Sequence, residues 1–262
     1  MPHVFMFRFT TEGAKNISKI AELFRILLVG GTLAVALLPT PPALGQSRSL
    51  PPLITSFKAS ETAIVLVDFQ NNFAHPEGEL YSRFKAKELT QMLQNATELV
   101  RKARSLGILV IHVMEGYSSD YSEVDWTNPG TFHRNQIARN AWRIGTPQVR
   151  LYEPLRPGPQ DDDILLPNRT QVSGFGGNNL DYILRARKIR NLAIGGFTLE
   201  GCAYATVLSA YDLGYHVYAL KDVMLSPDPK VAELFLSRFY PKYSKVMESG
   251  DFLRRTTQAP PQ

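Results

Sequence analysis

Short, continuous apolar runs alternate along the chain with longer segments in which apolar residues recur at helical spacing. The five residues from Ala63 to Val67 are all apolar, and runs of this length are typical of strands buried on both faces of a parallel sheet. Similar runs predict four further strands, at Ile108–Val113, Asp163–Leu166, Leu192–Gly195 and His216–Leu220.

Amphipathic helices are predicted between these strands. In Lys85–Ser105 the apolar residues recur every three or four positions, which places them on one helical face, and Gly107 ends the segment. Three more helices are predicted, at Leu180–Lys188, Gly201–Leu213 and Val231–Met247. This alternation predicts an α/β fold, a doubly wound, mainly parallel sheet with helices on both faces.

The segment from Gly116 to Pro159 lacks this periodicity and is rich in polar and aromatic residues, including both tryptophans of the chain. We expect loops there, with one short helix near Gln136–Trp142. Loops of this length in a compact domain are usually functional, so we expect them to wall a pocket or to contact another subunit.

The first 45 residues differ from the rest. Basic residues precede a 13-residue apolar run, Ile26–Leu38, and the small residues Ala43 and Gly45 fit a signal-peptidase site. The run is shorter than the about 20 residues that a membrane-spanning helix needs. We therefore expect a secretory signal over 1–45, cleaved after Gly45, and export to the periplasm or the exterior. An uncleaved membrane anchor is the alternative. Residues 46–60 are expected to be a flexible lead-in to one domain over 61–262.

The charge of the chain argues against nucleic acid as a partner. The formal net charge is +5 for 262 residues and falls to +3 without the first 45, which carry four basic and two acidic side chains. The remainder has no long run of Lys or Arg. We therefore expect no nucleic-acid binding and, after cleavage of the signal, no membrane binding.

The single cysteine of the chain, Cys202, lies where an α/β enzyme can place a nucleophile. It follows an apolar strand, two glycines and a short turn, and it stands at the start of a predicted helix. The positive end of a helix dipole favours a thiolate at that position. The alternative is that Cys202 is a small buried apolar residue, as most free cysteines are.

A carboxylate, Asp68, ends the first predicted strand. Reacting groups in open α/β sheets gather at the carboxyl ends of the strands, so Asp68 is well placed to take a proton from a thiol. The alternative is an aspartate that caps the following turn.

Three segments together resemble the isochorismatase-like cysteine hydrolase superfamily, which includes nicotinamidases, N-carbamoylsarcosine amidase, biuret hydrolase and ureidoacrylate hydrolase. They are Val65–Phe73, Ser173–Asp181 and Gly195–Cys202, and the helix and strand over Ala205–Val217 also match. The resemblance runs from about Thr62 to Asp222 in the family's usual order. It implies a hydrolase that cleaves a C–N bond of a small amide or ureide.

The resemblance also implies roles for residues of this chain. Asp68 would accept the proton of Cys202, and the sulfur would attack the substrate carbonyl to give a thioester that water then hydrolyses. The oxyanion would be stabilised by the backbone N–H groups of Cys202 and Thr198. A cis peptide bond is expected between Phe197 and Thr198.

The chain departs from the family at its third catalytic residue. The family has a lysine shortly before the element that matches Ser173–Phe175, whereas this chain has Arg169 there and no lysine. Arg169 could stabilise an anion but cannot shuttle a proton near neutral pH. Either Arg169 substitutes for the lysine, or the chain is a weak or silent small-molecule binding protein on the same scaffold. A third interpretation of Arg169 is a solvated loop residue.

No metal or other cofactor is expected, because the Asp-x-His pair of the nicotinamidases is missing and the five histidines are isolated. A vinyl-ether hydrolase of the isochorismatase type, which uses no nucleophilic cysteine, is a further alternative. We expect a homo-oligomer by analogy with the family.

Residues close to the catalytic pair in sequence, and aromatic residues of the long loops, are candidates for substrate contact. A carboxylate at Glu200 would disfavour an acidic substrate. The candidates are Phe73, Phe175 and Glu200, with Asn71, His75, Tyr117, Trp126, Phe132 and Tyr204.

Overall fold

Six parallel strands form the central sheet of the computed structural model, which describes residues 55–257. The predicted signal peptide and most of the lead-in lie outside the described residues. The strand order is β4-β3-β2-β5-β6-β7. The strands are β2 Thr62–Val67, β3 Leu109–Glu115, β4 Ile164–Arg169, β5 Asn191–Phe197, β6 His216–Leu225 and β7 Lys245–Met247, and a separate two-stranded sheet pairs β1 Phe57–Lys58 with β8 Thr256–Thr257.

Helices cover both faces of this sheet, as the sequence predicts. The α-helices are α1 Asn71–Ala74, α2 Ala86–Leu106, α3 Thr131–Ala138, α4 Leu180–Ala186, α5 Tyr204–Asp212, α6 Pro229–Leu234, α7 Tyr240–Tyr243 and α8 Ser249–Arg254. Alternate residues of β2 divide the core: Ile64 and Leu66 belong to the cluster that contains the buried face of α2. Ala63, Val65 and Val67 belong to the cluster that contains α4 and α5. The predicted doubly wound α/β fold is confirmed.

The strand register brings the carboxyl ends of the central strands to one edge. Val67, the last residue of β2, lies opposite Val113 of β3 on one side and Gly196 of β5 on the other. On the next strand, Glu115 of β3 lies opposite Arg169 of β4. The residues that follow Val67 and Gly196 therefore leave the sheet side by side, next to Glu115 and Arg169.

The predicted helix over Val231–Met247 is wrong at its C-terminal end. The helical segment is interrupted by a π-helical turn at Phe235–Phe239, and it ends at Tyr243. Pro241 lies in the first turn of α7, and Ser244 is extended. Lys245–Met247 then pairs with β6 as a sixth strand. Periodicity alone did not reveal this last strand, since three residues are too few to show a pattern.

The short loop helix also lies earlier than predicted. It covers Thr131–Ala138 rather than 136–142, because Asn140 and Trp142 have positive φ angles of 50° and 62°, which a right-handed helix does not allow. At the start of the domain, Phe57 is buried and β1 is paired, so the expected lead-in is ordered from this strand onward. Within 55–257, no helix has both the length and the apolar character that crossing a bilayer requires.

Candidate active site

Four side chains that can carry charge meet at the carboxyl edge of the sheet. Asp68 directly follows β2, Glu115 is the last residue of β3, Arg169 is the last residue of β4, and Cys202 lies in the turn after β5. All four are buried. Open α/β sheets place their sites at this edge because the loops that leave neighbouring strands diverge there.

Asp68 is held in an unusual backbone conformation. Its φ angle is 60°, in the left-handed region that Asp tolerates better than most residues, and its N–H donates to the Val113 carbonyl at 2.9 Å. Both carboxylate oxygens accept from Nη2 of Arg169, at 2.6 Å each. The side chain therefore forms an ion pair in the core, and the alternative role as a cap for the following turn does not apply.

Arg169 is an interior residue rather than a solvated one, with 1% of its surface exposed. Its Nη1 donates to the Val172 carbonyl at 3.0 Å, and its Nη2 lies 4.0 Å from Oε2 of Glu115. Although burial alone would lower the pKa of the guanidinium, the surrounding acidic groups, Asp68 first, raise it overall. Arg169 is thus a permanent cation at the centre of the site.

Cys202 is a thiol in the resting site. Burial raises its pKa well above the ordinary value, and the charge of Asp68 raises it further, while Arg169 acts in the opposite direction. The expected preference for the thiolate at a helix N-terminus is therefore overridden by desolvation. One ligand atom each of Asp68, Glu115 and Cys202 lies within 4.8 Å of the others, so the sulfur and the two carboxyl groups form one cluster.

A turn that only glycine permits carries Cys202. Gly196 has a φ angle of 155°, and a Cβ atom there would lie 2.4 Å from the Val67 carbonyl oxygen. The peptide bond between Phe197 and Thr198 is cis, which confirms that prediction. A π-helical turn, Leu199–Ala203, then leads into α5. Together these features bring Cys202 back over the end of β2.

Cys202 opens into a cavity of about 180 Å³. Two residues predicted to contact substrate, Phe73 and Thr198, line it, and the loop region from Gly116 to Pro159 walls it through α3, as expected. The ring of Phe73 stacks on Phe197 at 4.9 Å between centroids. The other lining residues are Leu80, Arg83, Glu115, Phe132, Asn135, Gln136, Arg139, Val172, Gly201 and Cys202.

Phe175 and Glu200, also predicted to contact substrate, are not among the residues that line this cavity. The ring of Phe175 stacks on Tyr215, with centroids 6.0 Å apart. Glu200 faces the buried hydroxyl of Tyr240, whose pKa is raised first by burial and then by this carboxylate. Glu200 was proposed because it is close in sequence to Cys202, and Phe175 because it is an aromatic residue of a loop near the site, but neither position in the sequence fixes which side chains reach the cavity.

Of the remaining candidates, Phe132 lines the cavity. Trp126 is 57% exposed, and the ring of Tyr204 packs edge-on against Phe235. The side chain of Asn71 donates to the Pro147 carbonyl, and the hydroxyl of Tyr117 donates to the Thr170 carbonyl. None of these four lines the cavity.

Glu115 was missed in the sequence, although a usable signal was present. Like Asp68, it is a carboxylate close to the end of a predicted buried strand, with only Met114 between it and Ile108–Val113. Burial raises the pKa of Glu115 to about 8, the nearby charge of Asp68 contributes to this rise, and Arg169 opposes it. Its Oε1 has no hydrogen-bond partner in the described part of the chain.

The site offers a metal only one set of three ligands. Across residues 55–257, the one group of three or more suitable side chains is Asp68, Glu115 and Cys202. Arg169 already binds both oxygens of Asp68, so a cation there would have to displace a guanidinium. His75 accepts from the backbone N–H of Glu77 and stands apart from this group.

Comparison with known proteins agrees with this geometry. The family model described as "Isochorismatase domain" matches residues 62–251, and the chain belongs to this family. More particularly, it is an isochorismatase-like hydrolase of the amidase type. Ureidoacrylate amidohydrolase RutB of Rhizobium rhizogenes is 29% identical over 236 residues, covering 84% of this chain and 94% of the relative. RutB of Azorhizobium caulinodans is 30% identical, covering 79% and 95%.

Solved structures show the same fold. N-carbamoylsarcosine amidase from Thermoplasma acidophilum superposes with a TM-score of 0.58 at 25% identity, covering 72% of this chain and 96% of that one. A cysteine hydrolase from Pseudomonas syringae pv. phaseolicola superposes with a TM-score of 0.67 at 23% identity, covering 80% and 98%.

Proposed function

We propose that this hydrolase cleaves a C–N bond of a small amide or ureide through a thioester on Cys202. The observation that carries the proposal is the convergence of Cys202, Asp68 and Arg169 on one buried site that opens into a cavity. The relatives named ureidoacrylate amidohydrolase and N-carbamoylsarcosine amidase support the same type of bond.

The first step is a proton transfer that leaves the net charge of the site unchanged. The Cys202 thiol gives its proton to Asp68, and negative charge moves from a carboxylate to the sulfur. Arg169 lies beside both groups and stabilises either arrangement. The thiolate then attacks the substrate carbonyl, and the backbone N–H groups of Thr198 and Cys202 are the proposed donors to the oxyanion.

Arg169 takes over the electrostatic part of the family lysine's role and not its proton transfer. A guanidinium stays charged at any pH at which the enzyme works, so it can orient Asp68 and stabilise an anion but cannot supply a proton. The contact of Nη2 with both oxygens of Asp68 fits this fixed role.

The mouth of the cavity favours a substrate that carries a carboxylate. Two arginines, Arg83 and Arg139, line the cavity, are exposed, and form no salt bridge with any described residue. Glu200, which was expected to disfavour an acidic substrate, is not among the residues that line the cavity. Ureidoacrylate, the substrate in the name of the RutB relatives, is itself an acid.

A screen for ammonia release tests the proposal. Small amides and ureides with and without a carboxylate are incubated with the wild-type protein and with Cys202→Ala and Cys202→Ser. We expect release by the wild type, loss of release in both variants with the fold intact, and an acyl adduct on Cys202 in mass spectra of the quenched wild type.

Two outcomes would contradict the mechanism. Hydrolysis that survives alkylation of Cys202, or that persists in Cys202→Ala, would point to a mechanism without a nucleophilic cysteine, as expected for the vinyl-ether hydrolases of the superfamily. Binding of amides by the wild type without any ammonia release would support the silent binding protein instead.

We also propose export and self-association, which need separate tests. N-terminal sequencing of the protein recovered outside the cytoplasm should begin at Gln46 if the signal is cleaved after Gly45. Light scattering of the purified protein should give a multiple of the monomer mass if a homo-oligomer forms. A monomer, or an intact N-terminus in the membrane fraction, would contradict the respective expectation.

A further inference from the structure

We propose that Glu115 is a second catalytic acid of this site, the group that gives a proton to the leaving nitrogen. The inference rests on the proposed function, since it assigns a step of the same reaction. The mechanism proposed above gives roles to Asp68, Arg169 and Cys202 but none to Glu115.

The position of Glu115 is that of a group that touches the substrate. It lines the same cavity as Cys202 and Thr198, and its side chain is almost completely enclosed. One carboxyl oxygen lies within 4.8 Å of the Cys202 sulfur and of an Asp68 oxygen. Buried polar atoms in folded proteins are nearly always paired, so the unpaired Oε1 in a cavity wall indicates a partner that arrives with the substrate.

The charges around Glu115 favour its protonated form. Among residues 55–257, Arg169 is the one cation that pairs with it, and its Nη2 lies 2.6 Å from both oxygens of Asp68 but 4.0 Å from Oε2 of Glu115. Arg169 therefore stabilises a negative charge on Asp68 more strongly than one on Glu115. The other groups that face Glu115 are Cys202 and Tyr117, both neutral at rest because burial raises their pKa.

More distant charges do not change this assignment. Arg83 and Arg139 also line the cavity, but both are exposed, so solvent screens their charge. Burial, supported by the charge of Asp68, holds the pKa of Glu115 near 8, so the carboxyl keeps its proton at neutral pH.

Cleavage of the C–N bond requires a proton, which Glu115 can supply. An amide nitrogen is a poor leaving group until it is protonated, and Arg169 cannot protonate it. After the thiolate has attacked and Asp68 has taken the thiol proton, the C–N bond breaks and the nitrogen takes the proton of Glu115. The amine departs, leaving a thioester, a protonated Asp68 and a Glu115 carboxylate.

The second half of the reaction restores both groups. Water attacks the thioester carbonyl and gives one proton to the Glu115 carboxylate while its oxygen bonds to the acyl carbon. The C–S bond then breaks, and the departing sulfur takes back its proton from Asp68. One water is consumed, one acid and one amine are formed, and the site returns to its starting state.

The test separates proton donation from binding by the choice of leaving group. Glu115→Gln keeps the size and polarity of the side chain but removes its acidic proton, and Glu115→Asp is the matched control that keeps an acid. Each is assayed with the amide that the wild type hydrolyses fastest and with the 4-nitrophenyl ester of the same acid, whose leaving group needs no proton.

We expect Glu115→Gln to lose about 10²–10⁴-fold in kcat for the amide, the usual contribution of general acid catalysis. For the ester, the rate of the 4-nitrophenolate burst, which reports acylation of Cys202, should stay within a few-fold of wild type, because this step needs no proton from Glu115. Glu115→Asp should recover part of the amide activity. Equal losses for amide and ester, or unchanged amide hydrolysis in Glu115→Gln, would overturn the inference.

A pH profile of the wild type gives a second measurement that does not depend on the folding of a variant. As pH rises through about 8, Glu115 loses its proton, so kcat/KM for the amide should fall while that for the ester should not. An amide profile without this fall would overturn the inference alone. A wild type that neither releases ammonia nor acylates Cys202 with the ester would overturn the proposed function and the inference with it.

Discussion

The ion pair between Asp68 and Arg169 is the most consequential contact between single residues in this protein. Both side chains are completely buried, and the guanidinium bridges the ends of β2 and β4. Burying two charges is costly even when they are paired, so such a pair is better explained by the chemistry of the site than by stability. Removing one partner of the pair should therefore destabilise the fold far more than replacing both partners.

We predict that Arg169→Met lowers the free energy of unfolding by about 3–5 kcal/mol, because it leaves the carboxylate of Asp68 buried without a partner. The double variant Asp68→Asn with Arg169→Met should recover most of that loss. Urea denaturation of the wild type, both single variants and the double variant measures the coupling. If the losses of unfolding free energy in the two single variants add up to the loss in the double variant, the two side chains are not coupled, and the prediction is wrong.

The resting state of Cys202 gives a prediction of its own. Since burial and the charge of Asp68 raise the pKa of this thiol, alkylation by iodoacetamide near pH 7 should be much slower than that of a free cysteine and should accelerate as pH rises. Asp68→Asn removes one cause of the raised pKa and should speed the reaction at a given pH.

Mass spectrometry reports this label without ambiguity, because Cys202 is the only cysteine of the chain. Cys202→Ala serves as the blank. Fast alkylation that does not change between pH 6 and 9 would mean that the thiolate is already present at rest.

At the scale of elements, the turn between β5 and α5 depends on Gly196. A Cβ atom there would meet the Val67 carbonyl oxygen of the neighbouring strand, and a φ angle of 155° is closed to residues with side chains. We predict that Gly196→Ala costs more than about 3 kcal/mol and displaces Cys202.

The matched control is Gly130→Ala, since a Cβ atom at Gly130 meets nothing within 4 Å. Its cost should stay below about 1 kcal/mol, as is usual for an open helix-cap position. Denaturation in urea compares the two variants, and equal costs would show that the close approach at Gly196 relaxes easily.

The elements also show where a sequence pattern stops being informative. The apolar runs identified β2 to β6, but β3 extends past Val113 to Glu115, and β4 extends past Leu166 to Arg169. Hydrogen bonding of the sheet continues there after the apolar pattern has ended, because the site replaces core residues by charged ones. Glu115 and Arg169 end these two strands, but because they are charged, a hydrophobicity pattern does not assign them to a strand.

Other parts of the site depend on three-dimensional packing. Asp68, Cys202 and Thr198 could be found from sequence because a local motif surrounds each of them. Arg83, Arg139 and Leu80 reach the cavity from loops that carry no pattern, and Phe175 and Glu200 turn away from it although they are close in sequence to motif residues.

At the scale of the whole molecule, the charge of the cavity mouth should select substrates before any chemistry occurs. We predict that Arg83→Gln and Arg139→Gln each raise KM for a substrate with a carboxylate by about tenfold, equivalent to about 1.4 kcal/mol, with little change in kcat. Uncharged amides should be unaffected, because they gain nothing from either guanidinium.

Steady-state kinetics at two salt concentrations measures this effect, which salt should weaken in the wild type. Arg156→Gln, an exposed arginine away from the cavity, is the matched control. Equal changes in KM for charged and neutral substrates would show that the mouth arginines act through structure rather than charge.

The small sheet of β1 and β8 has a consequence for how this protein can be attached to anything else. It holds Phe57 and Lys58 beside Thr256 and Thr257, just ahead of the amino end of β2, whereas Cys202 lies at the carboxyl end of the sheet. Residues 55 and 257, the first and last that the structure describes, therefore lie near the amino edge of the sheet, opposite the edge that carries the reactive sulfur. A linker or a solid support joined at either of these two residues would therefore be attached at the edge of the sheet away from the reactive sulfur.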